Sequence, residues 1–212
     1  MLQRAISIQH DQEFGGKCLW TVSSSEIGQT INTLLKQQER QKGFSAEYLD
    51  GNCLTGGLYS EKHDRTTIVF GTKYRVEGFV SFATRAPAPD VGSISLLEGL
   101  HSGHLKDKDG VVVTQESLRT YAGYSEYSGR GAVCSIRVVE AFYKRQGIGT
   151  LALRYLQEAC DFELIELEAT GEQDFQIDFY EKLGFVDANI DVDMGHRLAM
   201  TWYNPKYRAD RQ

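Results

Sequence analysis

The feature that most constrains the fold of this chain is a glycine-containing turn between two regular patterns. The turn consists of Lys144, Arg145, Gln146, Gly147, Ile148, Gly149 and Thr150. It follows an apolar run at residues 132–139, which predicts a strand. It leads into residues 148–160, where apolar side chains recur at helical spacing and predict an amphipathic helix. The apolar face of this helix consists of Leu151, Ala152, Tyr155, Leu156 and Ala159.

The turn has the properties of a phosphate-binding loop. The first N–H groups of a helix have no intrahelical partner and carry a partial positive charge, which attracts anions. Gly147 and Gly149 let the backbone approach phosphate oxygens closely, and Lys144 and Arg145 add positive charge. The sequence therefore predicts a pyrophosphate site, although a tight turn alone would also account for the glycines.

Two other nucleotide-binding motifs do not fit this turn. The dinucleotide fingerprint requires a third glycine, and Ala152 stands at that position, where alanine is sometimes tolerated. That fingerprint also belongs near the start of a βαβ unit, whereas this turn lies late in the chain. A P-loop is excluded because no Gly-Lys-Ser/Thr sequence follows a glycine at the required spacing.

The rest of the chain alternates between strand and helix patterns. Strands are predicted at residues 17–22, 66–70, 78–82, 164–169 and 197–203. Helices are predicted at residues 23–43 and 172–183. The strands at 66–70 and 78–82 have the pattern of an antiparallel hairpin. This order of elements predicts an α/β fold in which a mixed sheet is flanked by helices.

Residues 86–130 interrupt this pattern with many glycines and a charged patch at 106–109. Tyrosines recur there at every third position, as Tyr121, Tyr124 and Tyr127. Because ordinary loops rarely exceed ~12–15 residues, we predict an insertion or lid over the active site, within a single domain of residues 1–212. Inside it, a helix is predicted within 93–100 and a strand from Val111. A dispensable surface excursion is the alternative interpretation.

Composition and charge restrict the setting and the partners of the protein. No apolar run has the length of a signal peptide or a membrane span, so we expect a cytoplasmic protein that does not enter a membrane. The four cysteines form no CxxC pair and no His/Cys cluster has zinc spacing, so we expect reduced thiols and no metal. A net charge of -6 disfavours nucleic acid and fits a cationic amine substrate, although solubility alone would explain it.

The turn and the strand before it resemble the cofactor cradle of the GNAT N-acetyltransferase superfamily. Residues 145–149, Arg-Gln-Gly-Ile-Gly, match the family's motif, and Val139 lies eight residues before the first glycine, as in the family. Two positions depart from the pattern: Lys144 stands where the family has Gln or Arg, and Ala141 replaces its usual proline. Lys144 keeps the positive charge but lacks the planar fork of an arginine.

A second segment, residues 178–185, resembles the family's FYEKLGF motif. It contains Tyr180, which the resemblance makes the general acid that protonates the departing thiolate. Seven residues earlier, Gln173 takes the place of an asparagine that contacts the cofactor in many members. The resemblance covers about residues 131–203, and the order and spacing of the two motifs make it specific.

The resemblance implies a GNAT-like fold: a mixed, mostly antiparallel sheet flanked by helices, with the insertion placed before the cofactor-binding strand. It also implies acetyl-CoA as co-substrate. The turn at 144–150 would then hold the pyrophosphate, and the backbone of Arg137, Val138 and Val139 would hold the pantetheine arm. An N–H group near Val139 would stabilise the oxyanion when a neutral amine attacks the thioester directly.

The group that accepts the proton of the amine is less clearly indicated. Val133 occupies the position of the glutamate found in histone-modifying members of the family. Glu168, twelve residues before Tyr180, matches the glutamate of enzymes that acetylate ribosomal-protein N-termini, and it is the predicted base. Glu126 and a water relay past Ser135 are the alternatives.

These features predict an enzyme that transfers an acetyl group from acetyl-CoA to a primary amine of a small molecule or peptide. A toxin-like acetyltransferase acting on aminoacyl-tRNA and a non-catalytic acyl-CoA-binding module are the alternatives. The sequence leaves open the identity of the acceptor, the length of the acyl chain and the oligomeric state, including a homodimer.

Overall fold

The computed structural model describes residues 10–23, 65–72, 75–87, 105–114, 116–143, 145–170, 174–191 and 197–208. The strands in these ranges are β1 (His10–Phe14), β2 (Lys17–Ser23), β3 (Arg65–Thr72), β4 (Arg75–Arg85), β5 (Lys106–Asp107), β6 (Ala132–Ala141), β7 (Phe162–Thr170), β8 (Val186–Asp191) and β9 (Arg197–Tyr203). The α-helices in the same ranges are α1 (Ile148–Glu158) and α2 (Asp174–Glu181).

The strands form one mixed, mostly antiparallel sheet in the order β1-β2-β3-β4-β6-β7-β9-β8-β5. β6 and β7 pair in parallel, and their ladder ends where Ser135 lies opposite Glu166. The antiparallel pairs are β1–β2, β2–β3, β3–β4, β5–β8, β7–β9 and β8–β9. The predicted sheet is confirmed, and so is the predicted hairpin, which is formed by β3 and β4.

The chain divides into two compact units. The first contains Met1–Ala83 and Val138–Leu153, so it includes β1 to β4, the end of β6 and the first part of α1. The second contains Thr84–Arg137 and Arg154–Gln212, so it includes β5, the start of β6, the last part of α1, β7, α2, β8 and β9.

The first unit is built on buried side chains of β2, β3 and β4. These side chains are Leu19, Ile68, Val69, Phe70, Val76, Phe79, Val80 and Phe82. Gly78 lets β4 approach its neighbours closely, because a Cβ there would overlap the Glu140 carbonyl and lie 2.6 Å from Cγ2 of Ile148. The Phe142 N–H donates to the Glu77 carbonyl at 2.9 Å. The end of β6 and the start of α1 are therefore fixed against β4.

The second unit has a core to which the predicted insertion contributes. The buried cluster consists of Leu105, Val113, Leu118, Tyr124, Tyr127, Val133, Leu164, Ala188, Ile190 and Ala199. Tyr124 is 0% exposed and Tyr127 is 2% exposed. The alternative of a dispensable surface excursion is therefore wrong for the described part of 105–130. The helix predicted within 93–100 lies outside the described residues, and the role as a lid stays a prediction.

The strand predicted from Val111 is wrong, because the strand lies earlier, at β5. Val112 makes only a single bridge, to Lys106. The Asp107 carboxylate accounts for the difference, since it accepts the N–H groups of Asp109 at 3.0 Å and Val111 at 2.8 Å. An Asp side chain that bonds the backbone in this way closes a tight turn. The charged patch at 106–109 is therefore a strand end and a turn.

The other predicted elements are present with shifted ends. The patterns at 17–22, 164–169 and 172–183 correspond to β2, β7 and α2, and β9 has its predicted bounds. β1 and β8 are not predicted, because HDQEF is largely polar and VDANID contains two Asp and one Asn, which are depleted in strands. In α1, Leu153 is buried, whereas Ala159, just beyond the end of the helix, is exposed, so the buried face is rotated from the predicted one. Residues 24–43 of the predicted first helix lie outside the described residues.

Substitution of Gly123 tests whether the described part of residues 105–130 belongs to the core of the second unit. Gly123 has φ +77° and a Cβ there would overlap the Thr201 side chain, whereas Gly110 has φ +82° and nothing within 4 Å. We expect Gly110→Ala to cost about 1–2 kcal/mol through its backbone conformation alone. Gly123→Ala should cost about 1–3 kcal/mol more through overlap. Urea titrations measure both free energies of unfolding, and equal losses would contradict the packing described above.

Candidate functional site

The start of α1 has the geometry of an anion-binding site. The Leu151 N–H donates to the Gly147 carbonyl at 2.9 Å, which closes the first turn of the helix. The N–H groups of residues 148–150 therefore lie at the helix N-terminus, where no preceding turn supplies acceptors. The partial positive charge of these groups favours an anion at this end of α1.

The turn before α1 alternates in backbone conformation. Arg145 has φ 63° and Gly147 has φ 75°, whereas Gln146 between them has no positive φ. Alternation of this kind directs successive N–H groups into one concavity, which is called a nest and binds anions. All three residues are exposed, and nothing lies within 4 Å of a Cβ placed on Gly147. The turn is therefore accessible to a ligand.

Ile148, which directly follows this accessible turn, packs against β4. Its side chain is 2% exposed and lies against Gly78 of β4. The two residues that follow, Gly149 and Thr150, are half-buried. The predicted cradle residues 145–150 thus form one local structure, which is packed on one side and open on the other.

The strand that leads to the turn continues beyond its parallel ladder. The β6–β7 ladder ends at Ser135 and Glu166, whereas β6 continues to Ala141. The residues predicted to hold the pantetheine arm lie in this continuation and are half-buried: Arg137, Val138 and Val139. Arg137 belongs to the second unit, and the two valines belong to the first.

Tyr180 lies in the last turn of α2 and is held by two aromatic rings. The ring centroids of Phe179 and Phe185 lie 5.2 Å and 5.8 Å from its own, both in edge-to-face contact. Its carbonyl accepts the N–H groups of Leu183 at 2.9 Å and Phe185 at 3.1 Å, which ends the helix before Gly184. Burial raises the pKa of the Tyr180 phenol above 10.0. The phenol is therefore a protonated donor at neutral pH.

The three residues considered for accepting or relaying the proton of the amine differ in their surroundings. Glu168 lies in β7 and is half-buried. Glu126 forms an ion pair with Arg208 in the second unit. Ser135 is 3% exposed, and its hydroxyl donates to the carboxylate of Glu166.

Glu166 is a polar residue that no sequence motif singles out. It is 1% exposed, and besides Ser135 it accepts the hydroxyl of Tyr124 at 2.7 Å. The available signal is its position in the otherwise apolar run Leu164-Ile165-Glu166-Leu167. A carboxylate in such a run is buried, and a buried carboxylate requires hydrogen-bond partners.

Two predicted site residues, Lys144 and Gln173, lie outside the described residues. Among the described residues, no group of three or more His, Cys, Asp and Glu side chains is arranged to hold a metal ion. Within the same part of the chain, none of the helices has the length and apolar character needed to cross a membrane. Cys18, Cys134 and Cys160 are free thiols, and burial raises the pKa of Cys160 to about 11.

The sheet and the turn before α1 define an α/β protein with a helix start whose geometry suits an anion. The Acetyltransferase (GNAT) family matches residues 57–185, which is more than half of the chain. The chain belongs to this family, as the resemblance of its two motifs implies. None of the curated proteins matches it.

Solved structures similar to this chain include three with large mutual coverage. Arabidopsis thaliana NAA60 in complex with acetyl-CoA is 12% identical, with 88% of this chain and 98% of that chain covered and a TM-score of 0.47. FeeM, an N-acyl amino acid synthase from uncultured soil microbes, is 12% identical, with 91% of this chain and 93% of that chain covered and a TM-score of 0.44. Campylobacter jejuni N-acetyltransferase PseH is 10% identical, with 87% of this chain and 97% of that chain covered and a TM-score of 0.44.

Titration of the tyrosines tests the environment of Tyr180. Because burial disfavours the phenolate, this phenol should stay protonated to a higher pH than a free tyrosine and should ionise only above the reference pKa of 10.0. Carbon NMR of ring-labelled tyrosine measures the midpoint, and Tyr180→Phe assigns the resonance. A midpoint at or below that reference value would contradict the burial of the phenol.

Proposed function

We propose that this chain is an acetyl-CoA-dependent N-acetyltransferase that acetylates a primary amine of a small molecule or peptide. The observation that carries the proposal is the open turn before α1, in which Arg145 and Gly147 alternate with Gln146 in backbone conformation. Membership of the Acetyltransferase (GNAT) family supports an acyl-CoA as the anion that this turn holds.

The cradle residues fit the diphosphate of CoA. The N–H groups of residues 146–150 offer donors to its oxygens, and the exposed Arg145 adds a positive charge. Lys144 and Gln173 are proposed to extend these contacts. The backbone of Arg137, Val138 and Val139 would hold the pantetheine arm, since β6 continues beyond the end of its ladder with β7.

Tyr180 is proposed as the general acid. A neutral amine attacks the thioester carbonyl, an N–H group near Val139 stabilises the oxyanion, and the carbon–sulfur bond breaks. The departing thiolate takes the proton of the Tyr180 hydroxyl. The raised pKa of this phenol supports the role, because a donor must be protonated at neutral pH before it can act.

Glu168 is proposed as the base that accepts a proton from the incoming amine. It is a half-buried carboxylate on a strand, so it is partly shielded from solvent and can still be reached by a substrate. Glu126 is less suited to this role, because Arg208 already neutralises its charge in an ion pair. An acceptor that arrives as an ammonium ion also fits a chain with a net charge of -6.

A free-thiol assay tests this function. The protein is mixed with acetyl-CoA and a panel of primary amines, peptides and aminoacyl-tRNA, and CoA release is followed. We expect turnover with one class of amine, without dependence on RNA. Turnover confined to aminoacyl-tRNA would support the toxin-like alternative, and binding of CoA without turnover would support a non-catalytic module.

The same assay tests Tyr180. We expect Tyr180→Phe to lower kcat by roughly 10²–10⁴-fold, the usual contribution of a positioned general acid, while CoA still binds. Tyr207→Phe is the matched control, because its phenol also has a raised pKa, about 12, but donates to Asp161 near the end of the chain. Full activity of Tyr180→Phe would remove Tyr180 from the mechanism.

A further inference from the structure

Glu166 is a fully buried carboxylate whose two oxygens are each held by a hydroxyl group. It is 1% exposed. The Tyr124 hydroxyl donates to Oε2 at 2.7 Å, and the Ser135 hydroxyl donates to Oε1. Tyr124 begins a short 3-10 helix, Tyr124–Glu126, in the predicted insertion at residues 86–130. The contact therefore joins that segment to both parallel strands, β6 and β7.

A second buried carboxylate on β7 shows what a structural role requires. Glu163 is 0% exposed, and it accepts the backbone N–H groups of Ser128 at 2.5 Å, Arg130 at 3.0 Å and Gly131 at 2.7 Å, together with a long hydrogen bond from the Tyr203 hydroxyl at 3.4 Å. Backbone amides donate but do not relay protons. Hydroxyl groups both donate and accept. Both oxygens of Glu166 accept from hydroxyl groups, whereas Glu163 is held mainly by backbone amides, so the partners of Glu166 form a path along which a proton can move.

The position of Glu166 links this path to the proposed base. Ser135 and Glu166 form the last pair of the β6–β7 ladder. Because strand side chains alternate between faces, Glu168 lies on the same face of β7 as Glu166. Glu168 is half-buried and Glu166 is buried. The face of β7 therefore carries an outer and an inner carboxylate in succession.

The proposed reaction provides a use for two proton acceptors. A primary amine of pKa near ~10 reaches the enzyme as an ammonium ion at neutral pH. Its nitrogen must lose one proton before it can attack and another once the new carbon–nitrogen bond has formed. Glu168, the outer carboxylate, is placed to take the first.

We propose that Glu166 takes the second proton through the hydroxyl of Ser135; this rests on the proposed function. As the amine nitrogen bonds to the carbonyl carbon, its proton passes to Ser135 Oγ, directly or through one water. The Ser135 hydroxyl proton moves at the same time to Oε1 of Glu166. Tyr180 protonates the departing sulfur. The nitrogen thus loses two protons and the sulfur gains one, so that each turnover releases one proton to solvent.

The groups around Glu166 determine how this acceptor responds to pH. Tyr124 approaches it from the 3-10 helix. Cys134 lies on β6, and burial above all, then Cys160 and Glu166, raise the pKa of its thiol. Glu168 on β7 and Arg137 on β6 follow on the same faces, two residues beyond Glu166 and Ser135. The polar but uncharged Thr201 stands opposite Glu166 on β9.

Two acceptors of different basicity separate the roles of the two carboxylates. The first is the amine found in the free-thiol assay, and the second is an analogue made less basic by neighbouring fluorine atoms. The analogue is already neutral at the assay pH and has no first proton to lose. We therefore expect Glu168→Gln to lower kcat/KM strongly for the first acceptor and little for the second. Glu166→Gln should lower it by roughly 10²-fold or more for both.

Variants of the two hydroxyl partners test the path itself. Ser135→Ala should reproduce the loss in Glu166→Gln with both acceptors, and Ser135→Thr, which keeps the hydroxyl, should restore most of the rate. Tyr124→Phe should shift the pH profile of kcat, because one donor to the carboxylate is lost. Tyr127→Phe is its matched control, since the Tyr127 hydroxyl donates to the Gly131 carbonyl at 3.3 Å and should leave the profile unchanged.

Each outcome has a defined meaning. An active Glu166→Gln or Ser135→Ala enzyme with wild-type kcat and pH profile overturns the relay and leaves the proposed function standing. If Glu166→Gln does not fold, the Ser135 pair decides: equal rates for Ser135→Ala and Ser135→Thr overturn the relay. Wild-type protein that binds CoA but acetylates no acceptor overturns the proposed function and the relay together.

Discussion

The parallel pairing of β6 with β7 is the constraint on which the site depends. Parallel neighbours cannot be joined by a hairpin, so the chain must cross over between them, and α1 lies in that crossover. A crossover leaves the first strand at its carboxyl end, where α/β proteins bind their ligands. Topology thus fixes where the turn at 145–147 lies, and its alternating backbone suits this turn to the proposed binding of an anion.

The three glutamates of β7 illustrate how surroundings assign different roles to one side chain. Glu163 falls in the bulge between the pairs Ala132–Phe162 and Val133–Leu164, so it leaves the ladder and binds backbone amides of a loop. Glu166 is enclosed by hydroxyl groups, and Glu168 is half-buried. The first is suited to holding structure, whereas the other two are suited to accepting protons, because access and partners decide what a carboxylate does.

Local patterns predict the parts of this structure that local physics determines. The turn before α1, the hairpin of β3 and β4 and the motif around Tyr180 depend on glycines, alternation and helical spacing within a few residues. The buried position of Tyr124 and the network of Glu166 depend on contacts 42 and 31 residues apart in the chain. No periodicity encodes such pairs. The misplaced strand at Val111 has a different, local origin: the Asp107 side chain closes a turn with the backbone N–H groups of Asp109 and Val111, and this bonding overrides the apolar pattern.

Calorimetric titration with CoA and with pantetheine, which lacks the diphosphate, tests most directly whether the turn before α1 binds an acyl-CoA. The comparison uses the wild type, Gly147→Ala and Gly110→Ala; both glycines have positive φ and open space, but only Gly147 lies in the turn. We expect CoA to bind Gly147→Ala at least about tenfold more weakly, a loss of ~1.4 kcal/mol, and to bind Gly110→Ala as it binds the wild type. Pantetheine should bind the wild type and both variants with equal affinity. Absence of CoA affinity, or equal affinity of Gly147→Ala, would contradict the account.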